Sequence, residues 1–260
     1  MQLQFTIENL EYLLFIAARV SAFVYTAPFF NFGRSMVPAR VKAGFTFFLS
    51  IILYFALPYN EVTYEGIYGF VIEVIEEVIA GAFMGFMTDA VMMILNFAGR
   101  LIDIEIGFSM VTMMDPLFNV DSSVSGNMYT YFVIMMLLAG GYQRWLIQAF
   151  VDSYRVIPVG AVNVAADISK VMLTFCTDYF VIAVKIALPL YSMMLIVNIV
   201  LGIMAKVAPQ MNMFVVGMQL KVLGGLFVLT LMMQLLPGVT NFMVDEMVKI
   251  LRLAVEALSP

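Results

Sequence analysis

Histidine is absent and cysteine occurs once, at Cys176. A single cysteine excludes a disulfide scaffold within the chain. The usual His and Cys ligand sets for zinc or copper are excluded with it. Without histidine, the common proton relay and the common triad base are also missing. Charge is scarce too: only 12% of residues are Asp, Glu, Lys or Arg, about half the share of a soluble domain. The few basic residues are scattered and the net charge is −5, which argues against a nucleic-acid partner, since phosphate binding needs clustered Lys and Arg. The first eighteen residues carry only Glu8 and Glu11 as charges. They lack the basic start of a cleavable leader, so the first apolar run is expected to remain as an anchor. No phosphate-cradling loop and no nucleophile paired with a base is visible, so catalysis has no support and no cofactor is expected.

Apolar residues fill that space. They make up 63% of 260 residues, and the mean hydropathy is +0.99. Such a chain would present large apolar patches to water, so lipid or partner helices must be its main surroundings. The runs are continuous and not alternating, which predicts helices and not barrel strands. The fold class is therefore all-α, with about six long apolar helices. The runs cover Tyr12 to Gly33, Ala43 to Asn60, Gly66 to Gly99, a fourth reaching Gln143, a fifth from about Val171 to Ala205, and Val222 to Val244. The acidic N-terminus and the basic turn of Arg34, Arg40 and Lys42 place that turn on the cytoplasmic side. Arg144 and Arg155 would then lie outside if all six runs span, which conflicts with the same rule.

Several polar residues interrupt these runs. Glu73, Glu76 and Glu77 share one face of the third helix, and Asp89 lies about three turns on. Carboxylates in an apolar helix are functional candidates by default. They form an ion path, they pair with Arg19, Lys185 or a partner's basic residues, or they lie near a water surface. Arg19, alone in the first run, needs a partner, and the triple-Glu face offers one. Asp178 and Lys185 are two turns apart and suit one polar seam between helices. Cys176, in an apolar run, reads as packing. Gly81 and Gly85, four apart, and the pair Gly224 and Gly225 fit close helix approach.

Gly107 to Ser125 is too broken to span and too apolar for a solvated linker, with Met110, Met113, Met114, Leu117 and Phe118 around Asp115-Pro116. Irregular backbone at membrane depth survives only within protein or beside a water cavity. A re-entrant, plug-like loop and an amphipathic interfacial segment both fit. Most of the 23 methionines read as packing, although Met also suits a deformable seal.

Three stretches together resemble the FliR family, a flagellar export-apparatus family with relatives in type III secretion. The first is Pro28 to Gly44, with Phe29, Phe30 and Val37-Pro38-Ala39-Arg40-Val41-Lys42-Ala43-Gly44. The second is Gly107-Phe108 with Asp115-Pro116, then Gly140-Gly141, Ser153 and Ile157-Pro158-Val159-Gly160. The third and most specific is Ala208-Pro209-Gln210-Met211-Asn212-Met213-Phe214-Val215-Val216-Gly217, followed by Gln219-Leu220-Lys221. Together they cover most of the chain in the family's order. Tyr142 departs from the family, many members of which carry His there.

The resemblance implies a structural subunit of an export gate, not an enzyme. Its partners would be FliP- and FliQ-like subunits and an FlhB-like protein, and its cargo unfolded flagellar subunits. Residues 1–170 would be FliP-like, and 171–260 a FliQ-like helical hairpin with Pro209, Gln210, Asn212, Phe214, Gly217 and Lys221 at its bend. Residues of about 107–125, including Met110, Met113, Met114, Asp115, Pro116, Leu117 and Phe118, would plug the pore. Arg19, Glu73, Glu76, Glu77, Asp89, Asp178 and Lys185 would pair within the assembly, so that Arg19→Ala or Glu76→Ala harms assembly. The site would be the bacterial inner membrane, in the flagellar basal body. The competing reading is an ion-coupled secondary transporter using the Glu73/Glu76/Glu77 face, although no internal repeat of the kind common in transporters is evident.

Overall fold

The computed structural model describes residues 7–30, 37–59, 62, 64–108, 123–163, 167–210 and 212–259. Among them there is no β-strand. The described residues form eight α-helices: α1 (Ile7–Thr26), α2 (Ala39–Ala56), α3 (Gly66–Ile106), α4 (Val124–Ala139), α5 (Gln143–Val156), α6 (Asp167–Val207), α7 (Met213–Met232) and α8 (Leu236–Ala257). Short 3-10 turns follow α1, at Pro28–Phe30, and α7, at Met233–Leu235. Among the described residues four spans are long and apolar enough to cross a membrane: α2, α3, α6 and the stretch Phe214–Ala257. The pair α4 and α5 would make a fifth if it is one bent span.

The differences from six simple runs have local causes. The helix α3 does not stop near Gly99 but continues to Ile106, because Asp103 finds hydrogen-bond partners and is not stranded in an apolar helix. The polar stretch after Gln143 is itself a helix, with Leu146, Phe150, Ser153 and Tyr154 on its buried face. Pro237 falls in the first turn of α8, where a missing N–H costs little, so the mixed-charge tail stays helical.

Two compact units divide the chain. One comprises Met1–Val91, Gly141–Phe175 and Val244–Pro260; the other comprises Met92–Gly140 and Cys176–Met243. In the first, α1 and α2 form a hairpin. Tyr12 packs its ring 6.1 Å from Tyr54 and 5.1 Å from Tyr59, and its hydroxyl donates to the Pro58 carbonyl at 3.0 Å. At the other end of the hairpin the Phe30 and Phe45 rings are 4.8 Å apart. Further along, α1 meets α3 through Gly81 and Gly85. A Cβ on Gly81 would overlap the Arg19 carbonyl, and one on Gly85 would overlap the Thr26 hydroxyl. The small-residue spacing thus lets two backbones meet. Phe23 of α1 stacks on Phe150 of α5 at 4.1 Å. The C-terminal part of α8 adds Met247, Ile250, Leu251 and Ala254 to the buried residues, and the Leu258 carbonyl accepts the Asn163 N–H at 3.1 Å.

In the second unit, α3 meets α4 backbone to backbone, since a Cβ on Gly99 would overlap Gly126. Gly225 of α7 makes room for Ile106 in the same way. The helices α6 and α7 form an antiparallel hairpin, in which Gly217 faces Leu201 and Gly224 faces Val197. Phe97 packs against both Tyr179 and Phe180. Tyr129, almost fully buried, points its hydroxyl at the Met232 sulfur, 3.5 Å away.

Candidate functional site

Arg19 of α1 is fully buried, between α3 and the segment that follows α5. Its Nε donates to Glu77 Oε2 at 2.5 Å and its Nη2 to Glu77 Oε1 at 2.9 Å. Both side chains are 0% exposed. The remaining donors turn to backbone: Nη1 reaches the Ile157 carbonyl at 2.9 Å and Nη2 the Pro158 carbonyl at 3.3 Å. Glu77 Oε1 also accepts the Gly160 N–H at 2.8 Å. The Tyr154 ring lies 4.4 Å from the guanidinium carbon. Gly160 adopts a left-handed backbone with φ of 75°, and the Val62 side chain occupies the space a Cβ would need, so glycine is required there on both counts.

Arg suits this place because its planar fork matches a carboxylate and still leaves donors for carbonyls. A buried pair is tolerated only when its other hydrogen-bonding groups are also satisfied, and here the surroundings supply them. The network joins α1, α3 and residues 157–160 into one body. With Glu77 held by Arg19 and by the Gly160 N–H, its carboxylate is a structural anchor and not an open seat for a passing cation.

The other acids of that face are placed differently. Glu73 and Glu76 are half-buried, as is Asp89 further along α3. The acid that meets Arg19 is Glu77, not Glu76. In α6, Asp178 is half-buried and Lys185 is exposed. Cys176 is exposed and is not part of a packed core, because this stretch of α6 turns much of its surface outward. Among the described residues no group of three His, Cys, Asp or Glu comes together as a metal site.

The hairpin bend lies between α6 and α7. The helix α6 ends at Val207, and Pro209 and Gln210 form an exposed turn. The Asn212 side chain then caps α7 by accepting the Phe214 N–H at 3.2 Å, the usual use of Asn at a helix start. Phe214 is exposed, Gly217 is buried against Leu201, and Lys221 is half-buried. The plug residues Met110, Met113, Met114, Asp115, Pro116, Leu117 and Phe118 lie outside the described residues.

One arrangement was not read from the sequence. Asp103, buried near the end of α3, accepts the Ser123 hydroxyl at 2.7 Å and the Ser125 N–H at 3.1 Å. Ser123 in turn caps α4 by accepting the Gly126 N–H at 2.8 Å. The end of α3 and the start of α4 are thereby clasped together. The available signal was Ser123 preceding an apolar run, an N-cap pattern.

A helical membrane protein, its long apolar helices tied together by a buried ion pair, is the class that this fold and site define. Residues 10–247 match the family described as bacterial export proteins, family 1. The chain belongs to that family, which it shares with the FliR proteins. It is 30% identical over 229 residues to the flagellar biosynthetic protein FliR of Aquifex aeolicus, covering 88% of each chain. It is 25% identical over 233 residues to FliR of Escherichia coli, covering 90% of this chain and 88% of the relative. With FliR of Bacillus subtilis the identity is 27% over 215 residues, or 80% and 81% of the two chains.

Proposed function

We propose that this chain is a structural subunit of the flagellar type III protein export gate. It assembles with FliP- and FliQ-like subunits, next to an FlhB-like protein, into a channel that passes unfolded flagellar subunits. The gate sits in the bacterial inner membrane at the flagellar basal body. In this reading the chain has no enzymatic role: residues 1–170 act as a FliP-like part, and 171–260 as a FliQ-like hairpin bent at residues 209–221.

The observation that carries the reading is the length and exposure of α6. Its 41 residues extend roughly 60 Å at 1.5 Å per residue, about twice the hydrocarbon thickness of a bilayer. Only 28% of its most apolar window is buried, against 61% for α3. Leu188, Leu195, Ile196, Ile199 and Ile203 are all exposed. Lipid can cover about half of such a helix; the rest calls for apolar protein. Membership of an export-protein family points to sister subunits as that protein.

Photo-crosslinking tests this. With p-benzoylphenylalanine at Leu195, Ile199 or Phe227, irradiated cells are expected to yield adducts between this chain and FliP- or FliQ-like subunits. Adducts to lipid alone at all three positions would refute the assembly role.

A further inference from the structure

We propose that the outward face of α5 lies at the membrane–water boundary and binds phospholipid headgroups, with Trp145 as its depth anchor and Arg144 as its phosphate contact. The helix has 14 residues, about 21 Å at 1.5 Å per residue, too short to cross the hydrocarbon by itself. Its inner face is already committed, since Phe150 stacks on Phe23 and Tyr154 lies against Arg19. The outer face carries Arg144, Trp145, Gln148 and Arg155, all exposed. Trp145 is 66% exposed.

That mixture fits neither water nor hydrocarbon. Water would leave a large indole uncovered, and hydrocarbon would strip the guanidinium of Arg144 and the amide of Gln148 of their partners. The headgroup layer suits all of them. Indoles concentrate there because the ring is apolar and its N–H still finds an acceptor, and Arg binds phosphate oxygens in a forked, charge-assisted geometry. The charge balance points the same way. The helix holds two Arg against one Asp, and Asp152 is 3.5 Å from Arg155, so Arg144 supplies its excess positive charge for an anionic headgroup. In the same unit, α2 offers the contrast: Phe47, Phe48, Ile52 and Phe55 are exposed with no charge among them, a surface for acyl chains and not for headgroups.

Trp145 is the only tryptophan, so the fluorescence of the intact chain reports this face alone. The full chain is reconstituted in vesicles of phosphatidylcholine and phosphatidylglycerol whose acyl chains are brominated at a shallow, middle or deep carbon. Quenching is expected to be strongest for the shallow label and severalfold weaker for the deep one. Arg144→Gln is expected to remove the extra quenching that phosphatidylglycerol gives over phosphatidylcholine alone. Strongest quenching by the deep label would overturn the proposal. So would emission quenched by aqueous iodide and by no lipid label. In cells, p-benzoylphenylalanine at position 145 is expected to give a peptide carrying phospholipid mass. A crosslinked protein at that position would overturn the lipid assignment while leaving the export-gate reading untouched.

Discussion

Arg19 and Glu77, 58 positions apart in the chain, meet as a two-pronged, fully buried ion pair. The carbonyls of Ile157 and Pro158 and the N–H of Gly160 close the network around them. The first prediction follows from how such pairs fail. Removing one partner leaves a buried charge uncompensated, at a cost of about 3–5 kcal/mol. Arg19→Ala and Glu77→Ala should each lower the thermal midpoint of the detergent-purified chain sharply, or abolish its yield. Glu76→Ala, at a half-buried position one residue away, should change it little. The apolar double replacement Arg19→Met with Glu77→Leu should cost less than the two alanine changes added together, which thermal unfolding of all variants would show.

Glycines at the crossing of α1 and α3 give a second prediction. Overpacking at a close approach costs about 1–3 kcal/mol. Gly85→Ala, which would meet the Thr26 hydroxyl and the Phe23 carbonyl, should be destabilising by that order. Gly44→Ala, with nothing within 4 Å of the new methyl, should be neutral or slightly stabilising. Equal effects at both positions would contradict the packing described.

The clasp at Asp103 gives a third. Loss of an N-cap costs about 1 kcal/mol, and Ser123→Ala removes both that cap and the hydroxyl donor to Asp103. Amide hydrogen exchange in the first turn of α4 should therefore accelerate about five- to tenfold, as 1.4 kcal/mol corresponds to a factor of ten. Asp103→Asn should have a smaller effect, because a side-chain carbonyl can still accept the Ser125 N–H. Unchanged exchange in Ser123→Ala would mean that the clasp contributes nothing to the helix end.

Much of this was legible in the sequence because lipid simplifies the problem. Continuous apolar runs have to be helices, so α2 and α6 were placed within a few residues, and the start of α3 at Gly66 was read correctly. The GxxxG spacing at Gly81 and Gly85 identified a close approach without naming α1 as the other side. Arg19 needed an acid and three stood on one helix face, but spacing alone does not say which of Glu73, Glu76 and Glu77 points inward. The choice falls to Glu77 because residues 157–160 arrive beside it and supply the remaining hydrogen bonds, a long-range event that no local pattern records. For the same reason the buried stripe of α5 is hidden among its Arg and Asp residues: the partner of Phe150, Phe23, lies over a hundred residues earlier. The third run is apolar only as far as Gly99, yet α3 continues past Asp103 because Ser123 and Ser125 offset the cost of burying that carboxylate.

Assembly with sister subunits is tested by co-expression. The chain is to be produced with FliP- and FliQ-like subunits, extracted in a mild detergent and weighed by native mass spectrometry. A single stable complex containing all three proteins is expected. A chain that purifies alone, well folded and unassociated in their presence, would contradict it.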